Sequence, residues 1–316
     1  MSWALVMLLA LAIDALVGWP DKLYRAIGHP VTWLGALIDR LDKRLNRNAD
    51  SPAKRRKLGE ASACLAIAAA AGVAGLAAWL LPDGTLGVLP AAVLAWPLIA
   101  ARSLYDHVAP VAEALARDDL DQARAEVAKI VGRDVSVLDE AGVSRAAIES
   151  LAENSSDGVV APLFWGLLLG LPGIAAYKAI NTLDSMIGHR SPRHEDFGRF
   201  AARLDDWVNW LPARLTGLIF AAVSGNPGHA VSIMRRDAKQ HRSPNAGWPE
   251  AAMAAALDCR LSGPRAYHDR VAEEPWLNPD SPDPLAPDLK RALSLYRRAM
   301  WLVAAMLAVI ALLTAF

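Results

Sequence analysis

The chain of 316 residues holds 33 Lys and Arg against 33 Asp and Glu, so its net charge is zero and its pI is near 7.1. Nothing in that balance suggests nucleic-acid binding. Hydrophobic residues make up 54% and mean hydropathy is +0.22, while charged residues still reach 21%; the mixture predicts an all-α, polytopic helical membrane protein with cytoplasmic helical segments.

Residues 1–18 are apolar apart from Ser2 and Asp14. They lack the basic start and small-residue cleavage site of a signal peptide, and so read as a retained first transmembrane helix. Asp14 has two readings: a functional group inside the membrane, or a carboxylate solvated at the interface near Trp19. Gly18-Trp19-Pro20 ends the helix. Gly28 and Pro30 then flank His29 and fix the backbone around an imidazole near Arg25, a pairing that suits a phosphate or carboxylate. Residues 39–57, rich in Lys and Arg, read as a solvated loop that the positive-inside rule places in the cytoplasm. Apolar runs at 61–81 and 86–103 are each long enough to span, and Pro82-Asp83-Gly84-Thr85 turns between them. Cys64 and Cys259 have no CxxC spacing, so neither a metal site nor a disulfide framework is indicated.

Residues 104–158 read as a cytoplasmic helical insert, with Leu120, Ala123, Val127 and Ile130 at helical spacing. A helix over Arg145–Asn154 puts Glu149 and Glu153 at i and i+4, with Asp157 continuing the series. Like charges at that spacing repel unless a cation or a nearby Arg neutralises them. The polar cluster from Asn154 to Gly158 precedes an apolar segment, 159–177, that Gly170-Leu171-Pro172-Gly173 interrupts. A segment that dips in and returns would keep the polar motifs on one side, and broken helices are tolerated where they line a buried cavity.

Lys178, Asn181, Asp184 and His189 follow closely. An amphipathic helix over Phe197–Trp210 then sets Arg199, Arg203 and Asp206 on one face and Asp205 and Asn209 on the next. Asp205, Asp206 and Asn209 offer hard oxygens of the kind that hold Mg²⁺ together with phosphate; salt bridges to Arg199 and Arg203 are the alternative. The apolar segment 211–224 is short for a span. Residues 225–298 read as cytoplasmic, with a basic cluster before Ser243-Pro244-Asn245-Ala246-Gly247-Trp248-Pro249-Glu250, a rigid loop able to cradle an anion; the stretch 264–287 reads as loop. A final span covers 299–316. The whole chain reads as one integral membrane domain over 1–316 with four firm transmembrane helices, and 159–177 and 211–224 are not both expected to span independently.

These motifs in this order resemble the integral membrane family of cobalamin biosynthesis that makes adenosylcobinamide phosphate or adenosylcobinamide. The likeness runs from Asp14 through GWP, IGHPVTWLG, AENSSDGVVAPLFW, YKAINTLDSMIGH and FGRFAARLDDWVNWLPARLTG to RSPNAGWPEAAMA. It implies an ATP-dependent amide ligase in the cell inner membrane with its site facing the cytoplasm. The substrates would be adenosylcobyric acid, a corrinoid, and (R)-1-aminopropan-2-ol or its O-phosphate. Mg²⁺ and ATP would be required, and the partners would be the lipid bilayer and other membrane-bound enzymes of the pathway. The chain has no Walker A pattern, so nucleotide binding would use an unusual site. Glu153, Asp157, Asp184 and His189 are the candidates for catalysis. Arg25, His29, Asn154, Lys178, Asn181, Arg203, Arg214, Asn245 and Trp248 are candidates for substrate and phosphate binding, and Asp205, Asp206 and Asn209 for the metal. Ten of these residues, from Arg25 to Asn245, are expected to share one cavity. The rival reading, a non-catalytic membrane sensor or binding protein related to this family, would not need so many charged groups converging on one side.

Overall fold

The computed structural model describes residues 1–132, 134–267, 270–272 and 274–314. In chain order its helices are α1 (Trp3–Val17), α2 (Asp21–Ile27), α3 (Pro30–Leu45), α4 (Pro52–Leu80), α5 (Val88–Ala95), α6 (Ala101–Leu115), α7 (Leu120–Val127) and α8 (Glu140–Ser155). After a π-helical turn, Ser156–Val160, come α9 (Ala161–Ile187), α10 (Arg199–Val208), α11 (Trp210–Val223), α12 (Pro227–Asp237), α13 (Gly247–Leu257) and α14 (Ala286–Leu313). The protein is 74% helical, in keeping with the all-α expectation. The described strands are short: β1 (Leu261–Ser262) pairs antiparallel with β4 (Trp276–Leu277), and β2 (Arg265–Tyr267) with β3 (Arg270–Ala272). Two small ladders thus interrupt the stretch read as loop.

Local start signals explain several boundaries. Ser51 accepts from the Lys54 amide and Pro52 fills the first helical position, so α4 begins at Pro52 and not near residue 61. The basic cluster from Lys54 to Lys57, expected in a loop, therefore forms the first turns of that helix, and Lys and Arg are good helix formers. The last helix likewise starts at Ala286, well before the 299 expected from hydropathy. Among the described residues four runs are long and apolar enough to cross a membrane: Pro52–Leu80, Val88–Leu115, Glu140–Ile187 and Ala286–Leu313. The first helix is not among them. It has 15 residues, stops at Gly18, and reaches spanning length only with α2, from which it is bent by 110°.

The interruption in α9 is sharp. Gly170 has φ 65 and ψ −151, outside helical space. A Cβ at Gly166 would lie 3.4 Å from the Ile174 Cβ, and one at Gly173 would lie 2.3 Å from the Trp165 carbonyl oxygen. Residues eight apart on a straight helix are separated by about 12 Å along the axis. The chain therefore doubles back at Gly170. No other residue type fits there, because a Cβ at Gly170 would also meet the Trp3 ring at 2.5 Å.

The chain, read above as one domain, divides into two compact units. The first comprises 1–100, 161–209 and 307–316; the second comprises 101–160 and 210–306. In the first unit, Ile38 of α3, Ala63 and Ala66 of α4, Leu183 and Ile187 of α9, Phe197 and Ala201 form one core. In the second, Ala221, Ala230, Ile233 and Ala255 join α11, α12 and α13.

Candidate functional site

The first unit builds its polar centre on α9 and α10. Asp205 is 8% exposed, and its Oδ2 accepts a hydrogen bond from Asn209 Nδ2 at 3.0 Å. Asn209 is fixed in turn, because Tyr177, on α9, donates its hydroxyl to Asn209 Oδ1 at 2.9 Å. The i, i+4 spacing read from the sequence thus becomes a Tyr–Asn–Asp relay. Asp205 Oδ1 is buried and completes no hydrogen bond. Burial and then the nearby Asp184 carboxylate push the Asp205 pKa up to about 7, with Asn209 opposing the shift, Asp206 adding to it and Asn181 opposing it again. Burial also raises Asp206, against the pull of the Arg190 guanidinium. His189 lies within electrostatic reach of Asp184. Asp184, Asp205, Asp206, Asn181, Asn209 and His189 are therefore brought together.

Both ends of the Asn209 amide are engaged within the relay, its Oδ1 by Tyr177 and its Nδ2 by Asp205. Among the described residues no three His, Cys, Asp or Glu side chains form a metal-binding group. The donor chemistry still fits Mg²⁺. That ion is commonly held by one or two carboxylates plus substrate phosphates and not by an all-protein cage, and the unpartnered Asp205 Oδ1 beside Asp206 is such a donor pair.

Beside these carboxylates lies a cavity of about 390 Å³ whose wall includes Arg56, Arg190, Arg199, Arg203 and Asp206. The i, i+4, i+7 spacing of Arg199, Arg203 and Asp206 foreshadowed this shared wall; Arg56 and Arg190 come from elsewhere in the chain and sequence reading missed them. The 188–198 segment that supplies Arg190 is pinned by contacts with α3 and α4. Arg193 donates Nε and Nη2 to Asp42 Oδ2 at 2.9 and 2.6 Å, Asn46 donates to Asp42 Oδ1 at 2.7 Å, and Arg56 pairs with Asp196 at 2.7 Å. At the far end of the segment Gly59 of α4 lies so close to Phe197 that a Cβ would meet its carbonyl oxygen at 1.9 Å.

Lys178 and His29 sit apart from this wall. Lys178 lines a second, apolar cavity of about 340 Å³ with Pro30, Trp33, Leu34 and Val73 among its neighbours. His29 caps α3: its Nδ1 accepts from the Val31 amide at 3.2 Å, while Thr32 Oγ1 accepts from the His29 amide at 3.2 Å. Burial, reinforced by the Lys178 charge, lowers its pKa, so the ring is a neutral cap. Arg25 is exposed in the last turn of α2.

The second unit groups three further candidates. Arg214 stacks between the Trp210 and Trp248 rings, 4.4 and 4.5 Å from their centroids. Its Nη1 donates to Trp210 O at 2.6 Å and to Asn245 Oδ1 at 3.1 Å. Arg214, Asn245 and Trp248 thus form one rigid cation–aromatic platform. Glu153 and Asn154 are exposed on the last turn of α8, and Asp157 follows in the π-helical turn. Glu149 departs from the expected acidic pair: it is buried and accepts from the Ser262 amide at 2.7 Å. Of the ten residues expected to share one cavity, Arg25, His29, Lys178, Asp184, Arg203, Asp205 and Asp206 belong to the first unit and Glu153, Asp157 and Asn245 to the second.

The family profile described as CobD/Cbib protein matches residues 7–296. A cobalamin biosynthesis protein CobD from Rhodobacter capsulatus is 60% identical over 301 residues, covering 95% of both chains. Its counterpart from Brucella suis is 49% identical, covering 95% of this chain and 94% of its own, and that from Sinorhizobium fredii is 44% identical, covering 98% and 97%. No solved structure matches.

Proposed function

The chain belongs to the CobD/Cbib family, a membrane-helical family with a role in cobalamin biosynthesis, and from that premise we propose that it is the ligase that joins (R)-1-aminopropan-2-ol, or its O-phosphate, to the free propionate carboxyl of adenosylcobyric acid. ATP phosphorylates the carboxylate to an acyl phosphate and leaves as ADP. The amine then displaces phosphate to give the amide. The reaction requires an ammonium to lose its proton and a negatively charged phosphoryl group to be held while it transfers.

The observation that supports this reading best is the buried Asp205, with one oxygen held by Asn209 and the other unpartnered. A carboxylate with a pKa of about 7 is matched to proton uptake near neutral pH. With Asp206 it is also a donor for Mg²⁺, which would neutralise phosphate charge when bound. Asp184 and His189 adjoin this centre, and Asn181 and Arg203 lie on the same two helices. In the second unit Glu153, Asn154 and Asp157 are assigned to catalysis and substrate contact, and the Arg214–Trp248–Asn245 platform to the corrin or the amine. The reading places the site on the cytoplasmic side of the inner membrane, where ATP is available. Purified protein mixed with ATP, Mg²⁺, adenosylcobyric acid and either aminopropanol or its phosphate should yield the amide together with ADP and phosphate. Absence of product with either amine, from protein shown to be folded, would remove the ligase reading and favour a binding protein.

A further inference from the structure

We infer that the cavity walled by Arg56, Arg190, Arg199 and Arg203 seats the polyphosphate of a nucleoside triphosphate, and that it does so without reading the base. The inference deepens the ligase reading and rests on it for the need of a triphosphate. The location and the mode of recognition come from the cavity itself.

Four guanidinium groups and the carboxylates of Glu195, Asp196 and Asp206 line a space of about 390 Å³, so the cations outnumber the anions by one. Arg56 pairs with Asp196, and the Asp206 carboxylate feels Arg190. Among the described residues Arg199 and Arg203 make neither an ion pair nor a side-chain hydrogen bond. Arg199 and Arg203, confined in one wall without partners, repel one another, and an anion of high charge density reverses that sign. Guanidinium forks match phosphate oxygens in pairs. One or two such forks satisfy a single phosphate, so four suit a chain of phosphates better than a monoester.

The start of α10 departs from ordinary helix chemistry in the same direction. Gly198 gives it no side-chain cap, its first turn holds no acidic residue, and Arg199 stands where the helix dipole disfavours positive charge. An anion beside Arg199 removes that conflict. The Asp42–Arg193 and Arg56–Asp196 contacts hold the 188–198 wall in place, so Arg56 and Arg190 are presented from a fixed backbone. Asp206 completes the wall one residue after Asp205, which puts phosphate oxygens next to the carboxylates.

Among the described residues no aromatic side chain and no long apolar side chain lines this cavity. The wall they form offers a purine no aromatic or apolar surface. Recognition should therefore depend on the phosphates, and the absence of a Walker A pattern is no obstacle, because side-chain guanidinium groups take the place of a glycine-rich loop.

The test is binding, read apart from turnover. Full-length protein in zwitterionic lipid nanodiscs is dialysed against labelled ATP with Mg²⁺, and inorganic tripolyphosphate, GTP, orthophosphate and aminopropanol phosphate are added as competitors. Tripolyphosphate and GTP should compete within about 3-fold of ATP, and orthophosphate and aminopropanol phosphate should be weaker by 30-fold or more. The Arg199→Gln/Arg203→Gln double variant should lose at least 30-fold in affinity for both ATP and tripolyphosphate. Arg203→Lys should keep part of it, which separates lost charge from a lost fold. Tripolyphosphate that fails to compete, or a double variant that binds ATP like the parent, overturns the assignment. If that variant also forms amide normally, the ligase reading stands while the cavity assignment falls. If arginine-dependent tripolyphosphate binding occurs in protein that makes no amide, the cavity assignment stands while the ligase reading falls.

Discussion

Replacing Asp205 with Asn should stabilise the protein and silence it. Burial and the Asp184 charge move the Asp205 pKa from 3.8 to about 7. At about 1.36 kcal/mol per pH unit, the ionised carboxylate costs the folded state roughly 4 kcal/mol at pH 8, as an upper bound. The sign follows from proton counting. The folded state binds this proton more tightly than the unfolded chain, so stability is highest in acid, falls as pH rises from about 4 to about 7, and is level above that. Asn at this position cannot ionise, and its carbonyl oxygen can still accept from Asn209. Part of the gain is returned because a buried amide hydrogen needs a partner, a cost of about 1–3 kcal/mol. The net expectation is a gain of roughly 1–3 kcal/mol at pH 8, shrinking towards pH 5. Catalysis should fall by about 10²-fold or more if the carboxylate takes a proton or holds the metal. Thermal unfolding in detergent at pH 5 and pH 8, with amide formation measured on the same samples, tests both halves. A variant less stable than the parent at pH 8 would mean that a partner stabilises the charged form, and the reasoning fails. Near-normal turnover would make Asp205 a structural residue.

Asp42 should show the opposite pH dependence. Burial would raise its pKa, but the hydrogen bonds from Asn46 and Arg193 and the Arg193 charge hold it below the usual carboxylate range. Its contribution is present above the unfolded pKa and is lost as pH falls through the depressed folded value. Asp42→Ala should therefore cost about 1.5–3 kcal/mol at neutral pH, a penalty that closes in strong acid; a penalty that does not vary with pH would refute the ion-pair account. Gly59→Ala should destabilise by about 1–3 kcal/mol or more, because the new Cβ meets a backbone oxygen at 1.9 Å and backbone cannot swing aside; unfolding midpoints decide it. Arg214→Lys keeps the charge and loses the planar stack between Trp210 and Trp248, at an expected cost of about 1–2 kcal/mol. Quenching of tryptophan fluorescence that does not change in that variant would argue against the stacked platform. A single cysteine at position 189 should label from the cytoplasmic face, and labelling only from outside would reverse the topology.

Much of this protein was legible as sequence, because the relevant physics is local. Helical class followed from composition. Gly18-Trp19-Pro20 marks a helix end through backbone chemistry that acts within a few residues. The shared face of Arg199, Arg203 and Asp206 and the pairing of Asp205 with Asn209 follow from 3.6 residues per turn. Hydropathy misplaced the starts of α4 and α14, because basic residues extend a helix as readily as they form a loop. The fate of individual polar groups needed the tertiary structure. Glu149 and Glu153 share a helical face on paper, yet one accepts a buried amide from β1 and the other is exposed. His29 reads as a phosphate or carboxylate contact, and the structure adds that its ring caps α3. Arg56 joins Arg190, Arg199 and Arg203 across more than 130 positions of sequence because Asp42, Gly59 and Phe197 fasten distant segments together. Spacing reports which residues one helix presents together. Only packing brings separate helices close enough for their charges to act on one another, and it also sets how much water remains to screen them.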